Sequence, residues 1–173
     1  MQRIFVMMAS VCWLVMIPAM AEAQLPAEKA HNITLPEGSL PAADDGQFTF
    51  ADYKDSQALL VNFWATWCAP CIHELPQLDE AARQLAGDNI AVILISVDRK
   101  GSDHALAFLR ERGITDALFV HDTNNDWARH LRLNGLPSSY LISADQSDIY
   151  FIKGPAEWAE PAILDEIKTL IGR

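Results

Sequence analysis

The feature that most constrains the fold is an apolar run that leads directly into a pair of closely spaced cysteines. Residues 58–65 read ALLVNFWA, and Cys68 and Cys71 follow almost at once. A nearly continuous apolar run of this length is typical of a strand buried on both faces of a sheet. After the cysteines, apolar residues recur at helical spacing: Ile72, Leu75, Leu78, Ala82 and Leu85. The pattern predicts a buried strand, a short turn and a helix that begins at the cysteine pair.

The rest of the chain continues an alternation of strands and helices. Pro76 is expected to kink the first helix, Gly87 to end it, and Ser102 to cap the next one. Further strands are predicted at 47–53, 90–97, 118–121, 138–143 and 148–153, and further helices at 102–113, 124–133 and 161–171. The last two strands, joined by a short polar turn, should form a hairpin. This order predicts an α/β fold with a central mixed β-sheet and helices on both faces.

The N-terminal segment, residues 1–23, is predicted to be an export signal rather than part of the fold. A positive start at Arg3 is followed by an apolar segment over residues 4–20, and Ala21-Glu22-Ala23 fits a signal-peptidase cleavage site. An uncleaved membrane anchor is the alternative. In both cases the remainder of the chain is expected in the periplasm or a similar exported location, with membrane attachment only if the segment stays uncut.

The remainder of the chain divides into two regions. Residues 24–45, rich in Pro, Ala, Glu and Asp, are expected to form a linker or irregular extension, and residues 46–173 a single domain. The full chain of 173 residues has 13 basic and 23 acidic side chains and a net charge of −10. Because contacts with phosphates need clustered Lys and Arg, and no basic run is present, nucleic acid is not an expected partner.

The two cysteines after the apolar run could serve several chemistries. The third cysteine, Cys12, lies in the export segment, so a framework of structural disulfides is not expected. A structural zinc site needs four ligands, and the chain has one CxxC pair. Covalent haem attachment needs C-x-x-C-H, but Ile72 takes the position of the histidine. Thiol-disulfide exchange and copper(I) binding both fit a single dithiol.

Thiol-disulfide exchange would give the two cysteines different tasks. Cys68 is expected at the helix N-terminus, where unpaired N–H groups and the helix dipole stabilise a thiolate, so it would attack a partner disulfide. Cys71 lies one turn further in and would resolve the mixed disulfide. Pro70 suits the first helical turn because no backbone N–H is needed there. Glu74 follows on the same face, and its spacing leaves open a solvated glutamate or a partly buried acid that exchanges a proton with Cys71.

Together these residues resemble a known family. The stretch NFWATWCAPC, followed by Glu74 and Pro76, is similar to exported thioredoxin-like proteins of the TlpA group, which includes the thiol-disulfide reductases of cytochrome c maturation. The resemblance runs from about Gly46 to the C-terminus and implies a thioredoxin fold with an N-terminal β extension. It implies that Pro137, in GLPSSYLI, is the cis-proline of that fold. It also favours proton transfer by Glu74, because Asn62 stands where cytoplasmic thioredoxins carry a titratable aspartate.

The resemblance further implies which residues meet a partner protein. The predicted contacts are Trp67, Ala69, Pro70 and Leu136. Trp64 and Trp158 are expected to pack in the core instead. Where the family has Thr-Thr after the cis-proline, this chain has Ser138-Ser139, a change in the groove that faces the partner.

The expected function is that of an exported thiol-disulfide oxidoreductase that reduces protein disulfides of cytochrome c or of copper sites. The Cys68–Cys71 pair would be its redox group, with no separate cofactor or metal, and a membrane-embedded thiol reductase would supply the electrons. A disulfide oxidase or isomerase is the alternative on the same fold, and a Cu(I)-binding chaperone is the alternative of another class. A peroxidase is disfavoured because the P-x-x-x-T-x-x-C loop is missing around Cys68.

Overall fold

The computed structural model describes residues 24–172 of the chain. The predicted export signal, with Cys12, lies outside the described residues. The strands are β1 (Ala27–Lys29), β2 (Leu40–Pro41), β3 (Gln47–Phe48), β4 (Ala58–Trp64), β5 (Ile90–Ser96), β6 (Leu118–His121), β7 (Ser138–Ile142) and β8 (Ile149–Lys153). The helices are α1 (Ala69–Leu85), α2 (Ser102–Arg110), α3 (Asp126–His130) and α4 (Pro161–Ile171). Within this part of the chain, no helix has the length and apolarity to cross a bilayer.

Six of the strands form one mixed sheet in the order β1-β8-β7-β4-β5-β6. Strand β5 pairs in parallel with both β4 and β6, whereas β7, β8 and β1 add antiparallel neighbours on the other side. Every residue of β4 is buried, so both faces of the centre of the sheet are covered. Helices α1, α2 and α4 contact β5, β6 and β7 respectively. The predicted mixed α/β sheet and its closing β7–β8 hairpin are confirmed.

The N-terminal region differs from the expected linker. Its strand β1 pairs antiparallel with β8 and extends the main sheet, and the buried Leu25 donates its N–H to the Glu166 carboxylate of α4 at 2.9 Å. A three-residue edge strand is held by backbone hydrogen bonds and has no room for a hydrophobic alternation. That is why the composition of residues 24–45 gave no sign of it.

The alternating stretch 47–53, predicted as one strand, is two elements. Only β3 pairs, with β2, and Ala51–Tyr53 forms a 3₁₀ turn. The buried side chains of Phe48 and Phe50 instead pack on Trp127 of α3, with ring centroids 5.9 and 4.9 Å away. The apolar alternation therefore reflects aromatic packing rather than a longer strand.

Two helix starts also differ from prediction. Gly101, at φ 96°, is the cap of α2, so Ser102 is the first helical residue and makes no capping bond. Helix α3 is shorter than residues 124–133, because Asn125 has a left-handed φ of 58° and the Asp122 carboxylate accepts the N–H groups of Asp126 and Ala128. A local side-chain acceptor thus sets the beginning of this helix.

Helix α1 is fastened to the loop before β6 by the carboxylate of Asp79. One oxygen of this buried side chain accepts the backbone N–H groups of residues 115, 116 and 117 at 2.7–3.0 Å. We expect Asp79→Ala to lower the free energy of unfolding by about 1–3 kcal/mol, because three N–H groups lose their acceptor. Urea unfolding measures this loss. Asp79→Asn keeps an oxygen in place and should lose less; equal losses in both variants would contradict the explanation.

Candidate active site

The cysteine pair lies between strand β4 and helix α1. Cys68 is the N-cap of α1, and its sulfur accepts the N–H of Cys71 at 3.3 Å. The two side chains form a disulfide, with their Cα atoms 5.3 Å apart. Cys68 is 5% exposed, whereas Cys71 is fully buried. Cys68 is therefore the sulfur that an incoming partner can reach.

The residues between the cysteines are open to solvent. Ala69 and Pro70 form the first helical turn and are both exposed. Pro70 leaves no hydrogen bond unmade, because the first N–H groups of a helix have no partner within it. The surface beside Cys68 is thus available to a partner protein.

The predicted contact residues Trp67 and Leu136 lie together in the structure. The Trp67 side chain is 67% exposed, whereas that of Trp64 is fully buried, as predicted. Leu136 is half-buried, and the peptide bond between it and Pro137 is cis, as predicted. Trp67 and Leu136 line one groove of about 640 Å³. Ala69 and Pro70 lie outside the lining of this groove.

Glu74 is buried, with 1% of its surface exposed, so the solvated alternative is wrong. Its Oε1 accepts a hydrogen bond from Nδ2 of Asn62 at 2.8 Å. Its Oε2 accepts from Nε1 of Trp158 at 2.9 Å and from the N–H of Ala156 at 3.2 Å. Burial raises the pKa of Glu74 above its ordinary value of 4.5, and these three hydrogen bonds oppose the shift without cancelling it.

Glu74 also borders a cleft of about 310 Å³ that includes His73 and Gln77 of α1 and Ala156 on the facing loop. The carboxyl group lies one helical turn from Cys71, which has no exposed surface of its own. The arrangement is chemically suited to proton exchange, because a buried acid with a raised pKa borders a cleft and lies one helical turn from a buried cysteine.

Asn62 connects Glu74 with the loop of the cis-proline. Its Nδ2 donates to Glu74 and, at 2.9 Å, to Oγ of Ser139, the second residue after Pro137. Its Oδ1 is buried and has no hydrogen-bond partner among the described residues. An amide can offer either a donor or an acceptor to the same neighbour by rotation about its last bond. Asn62 is therefore able to match an ionised or a protonated Glu74.

Replacing Asn62 with leucine should raise the pKa of Glu74 further, because the ionised form loses its one donor to Oε1. Above that pKa the unpaired oxygen should also cost about 1–3 kcal/mol of folding free energy. A ¹³C NMR titration of the Glu74 carboxyl measures the first effect. Ser139→Ala removes the other acceptor of the amide and should shift the titration less. An unchanged titration in Asn62→Leu would show that the hydrogen bond from Asn62 does not affect the pKa of Glu74.

The hydrogen bonds that two residues, Trp158 and Asn62, make to Glu74 were not predicted from the sequence. Trp158 was predicted to pack in the core, and it is fully buried. Its indole N–H also donates a hydrogen bond to the Glu74 carboxylate. Asn62 was noticed only because it cannot titrate. A signal existed in both cases, since a buried Trp N–H and a buried amide each need a polar partner. The identity of that partner was hidden, because Trp158 and Glu74 are 84 positions apart.

A second carboxylate positions the turn before Cys68. Oδ2 of Asp98 accepts the N–H of Thr66 at 3.0 Å and also its hydroxyl, while Oδ1 accepts the N–H of Lys100 at 3.0 Å. Burial opposes ionisation of Asp98, but these hydrogen bonds, together with the charge of His104, hold its pKa below the ordinary value. Within residues 24–172, no group of three or more His, Cys, Asp or Glu side chains is arranged to hold a metal ion.

A redox-active cysteine pair at a helix N-terminus, together with a mixed sheet and a cis-proline loop, defines the class of protein. The protein is a thioredoxin-like thiol-disulfide oxidoreductase. Comparison with known families agrees: residues 26–147, well over half of the chain, match the AhpC/TSA family. The chain therefore belongs to the AhpC/TSA family.

Individual relatives indicate which group of the family the chain resembles. HelX, a thiol:disulfide interchange protein of Rhodobacter capsulatus, is 30% identical over 131 residues, which cover 76% of this chain and 70% of that protein. CycY, a thiol:disulfide interchange protein of Rhizobium leguminosarum, is 36% identical over 97 residues, 56% of this chain and half of that protein. The chain is thus related to the thiol:disulfide interchange proteins of the cytochrome c maturation group, and protein thiols are its class of substrate.

Solved structures support the fold independently. The exposed lipoprotein thioredoxin Etrx1 of Streptococcus pneumoniae superimposes with a TM-score of 0.62 at 22% identity, covering 78% of this chain and all of that one. At this level of identity the likeness concerns the fold alone. The predicted thioredoxin fold is confirmed.

Proposed function

We propose that this protein is an exported reductant that opens disulfides in other proteins, with the cysteines of cytochrome c or of a copper site as targets. The observation that carries the proposal is the buried Glu74, which has a raised pKa one turn from the buried Cys71. A reducing dithiol must lose a proton from its second thiol during the reaction, and this carboxylate can accept it. Kinship with thiol:disulfide interchange proteins supports the class of substrate.

The first step is attack by the Cys68 thiolate on the substrate disulfide. The helix N-terminus stabilises the thiolate, and Cys68 is the more exposed sulfur of the pair. A bond forms between Cys68 Sγ and one substrate sulfur, and the bond between the two substrate sulfurs breaks. The second substrate sulfur leaves as a thiolate and takes up a proton.

The second step regenerates a free substrate. The Cys71 thiol gives its proton to the Glu74 carboxylate, and the resulting thiolate attacks Cys68 Sγ. The Cys68–Cys71 disulfide forms, and the first substrate sulfur leaves as a thiol after protonation. Two electrons pass from the dithiol to the substrate. The proton held by Glu74 then leaves through the cleft beside His73 and Gln77.

A further turnover needs two electrons to reopen the Cys68–Cys71 disulfide. We propose that a membrane-embedded thiol reductase supplies them by the same exchange chemistry, because an oxidising compartment offers no general source. The dithiol would be the redox group, with no separate cofactor. The role of Pro137 would be to present backbone groups to the substrate segment, while Trp67, Ala69, Pro70 and Leu136 form the contact surface.

Export is part of the proposal and rests on residues 1–23. The positive start, the apolar run and the small residues at 21–23 support a cleaved signal, with a retained membrane anchor facing the periplasm as the second possibility. Cell fractionation with N-terminal sequencing tests both. A soluble periplasmic form that begins near Gln24 would show cleavage, and a full-length form in the cytoplasm would contradict export.

The direction of electron flow is tested by the reduction potential of the pair. The protein is equilibrated with glutathione buffers of graded composition, and the fraction of Cys68–Cys71 disulfide is measured by thiol alkylation. We expect a potential well below that of strong disulfide oxidants, which lies at about −120 mV. A potential close to that value would instead favour the oxidase or isomerase alternative.

A further inference from the structure

The groove beside the cysteines has a distinct charge, and we call it the arginine groove. Its apolar part consists of Trp67, Val97, Leu133 and Leu136, and its charged part of Arg99 and Arg129. The groove has a volume of about 640 Å³. It is large enough to take several side chains of an extended peptide.

The position of the groove links it to the reacting sulfur. Trp67 directly precedes Cys68, and Leu136 directly precedes the cis-proline, so one end of the groove lies at the cysteine pair. Arg99, in the loop after β5, and Arg129, on α3, also line the groove. A protein segment whose cysteine reaches Cys68 would therefore run along these side chains.

The apolar part would hold such a segment by burial. Trp67 is 67% exposed and is the large apolar side chain left open in residues 24–172. An exposed aromatic beside a half-buried leucine is the composition of a contact site rather than of an ordinary surface. An apolar side chain of the partner placed between Trp67 and Leu136 would remove both from water.

The groove is lined by basic side chains, whereas the chain as a whole is acidic. The chain carries 23 acidic and 13 basic side chains, yet both charged residues that line the groove are arginines. Arg99 is exposed and makes no ion pair or hydrogen bond with its side chain in the described part of the chain. Arg129 is held in place by the carbonyl of Asn124, at 2.6 Å, and by Asp126. The groove thus has one fixed guanidinium, partly compensated, and one that is free to bind.

Asp98 connects the two loops that carry Trp67 and Arg99. Its carboxylate accepts the N–H of Thr66, next to Trp67, and the N–H of Lys100, next to Arg99. Asp98 itself is buried, and both of its oxygens accept hydrogen bonds from these neighbours. Because one side chain fixes both loops, the backbone that carries Arg99 keeps its place relative to that of Trp67 before any partner arrives.

We propose that the arginine groove selects substrate proteins whose reactive cysteine is flanked by an apolar and an acidic side chain. The apolar side chain packs on Trp67 and Leu136, and the carboxylate pairs with Arg99 and Arg129. Guanidinium and carboxylate groups match in geometry and form paired, charge-assisted hydrogen bonds. The inference rests on the proposed function, since it names the kind of substrate that this dithiol would meet.

The test compares two peptides that differ in one side chain. Both carry a disulfide and a Leu beside one of its cysteines; one has Glu and the other Gln a few residues away. Forms with Ser in place of Cys are titrated into the oxidised protein, and binding is followed by Trp fluorescence. The disulfide forms are assayed for kcat/KM with the reduced protein. We expect the Glu peptide to bind and react about tenfold better than the Gln peptide, and less so as salt rises.

Substitutions in the groove test whether the preference for the Glu peptide arises there. Arg99→Glu should abolish the preference for Glu, and Arg99→Glu with Arg129→Glu should reverse it. Lys100→Glu is the matched control, because it changes the net charge by the same amount in the same loop while its side chain lies outside the groove; it should keep the preference. Equal treatment of the two peptides by the unmodified protein, or an effect of Lys100→Glu as large as that of Arg99→Glu, would overturn the proposal.

The two kinds of readout separate this proposal from the proposed function. Selective binding of the Ser-containing Glu peptide without reduction of either disulfide peptide would support the groove and contradict the reductase. Reduction of both peptides, and of a small neutral disulfide, at rates that ignore the Glu side chain would support the reductase and overturn the groove.

Discussion

Replacing Cys71 with serine is expected to stop turnover and to leave substrate proteins covalently attached to Cys68. The attack by Cys68 needs only its own thiolate, whereas release of the substrate needs the Cys71 thiolate. Turnover should fall by about a thousandfold or more, as for the loss of other catalytic nucleophiles. The attached proteins are detected as adducts on non-reducing gels that disappear with a thiol reductant, and mass spectrometry identifies them.

Cys68→Ser is the matched control for the trapping experiment. It should give no adducts, because Cys71 has no exposed surface through which to meet a substrate. Equal adduct yields from both variants would contradict the division of tasks between the cysteines. An absence of adducts in Cys71→Ser, together with tight Cu(I) binding by the unmodified pair, would favour the copper-chaperone alternative.

Glu74→Gln is expected to slow disulfide exchange on the order of a hundredfold at neutral pH. Gln keeps the shape of the side chain and an acceptor for Trp158 and Ala156, but it cannot take the proton of Cys71. The amide of Asn62 could turn its unpaired Oδ1 toward the new side chain, so the network should stay closed. Stopped-flow rates with a peptide disulfide measure the loss. In addition, the change in rate with pH that results from titration of Glu74 should disappear.

The same variant should change the pH dependence of stability in a defined direction. The pKa of Glu74 is raised in the folded protein, because burial disfavours the charged form. The protonated carboxyl therefore favours folding below its ordinary value of 4.5, and this contribution is lost as the pH rises through the raised pKa. Glu74→Gln stays neutral throughout, so it should gain stability relative to the unmodified protein as the pH rises.

Urea unfolding of both proteins at several pH values measures this difference. Glu80→Gln, on the solvent side of the same helix, should follow the unmodified protein within about 0.5 kcal/mol at every pH, as exposed substitutions usually do. If Glu74→Gln instead lost stability relative to the unmodified protein on going from acidic to neutral pH, the ionised carboxylate would be favoured by its hydrogen-bond donors. The explanation from burial would then be wrong.

The parts of the fold that could be predicted are those with local signals. Strand β4 has an unbroken apolar run, and α4 has a proline at its first position and a glycine after its last. The cysteine pair was found because its residue type and spacing are rare, and Pro137 because the segment GLPSSYLI resembles the cis-proline loop of the family. In each case the information lies within one element or one turn.

The parts that could not be predicted depend on contacts between distant residues. The Trp158 indole reaches Glu74 across 84 positions, and β1 joins a sheet edge more than a hundred residues away. Local patterns carry no record of such pairings, and a buried acid looks like a solvated one until its three donors are in place. The environment of Glu74 was therefore open at the sequence level, and the structure defines it through the hydrogen bonds from Asn62, Ala156 and Trp158.

The attachment of Leu25 to α4 limits how far the domain could move from a membrane. Its backbone is bound to Glu166 five residues after the end of the predicted apolar segment at residue 20, a span of about 17 Å at full extension. If the export segment stays uncut, this short span would keep the domain close to the bilayer surface. Its effective concentration toward a membrane-embedded donor would then be high and its reach toward soluble substrates short, whereas cleavage would reverse both.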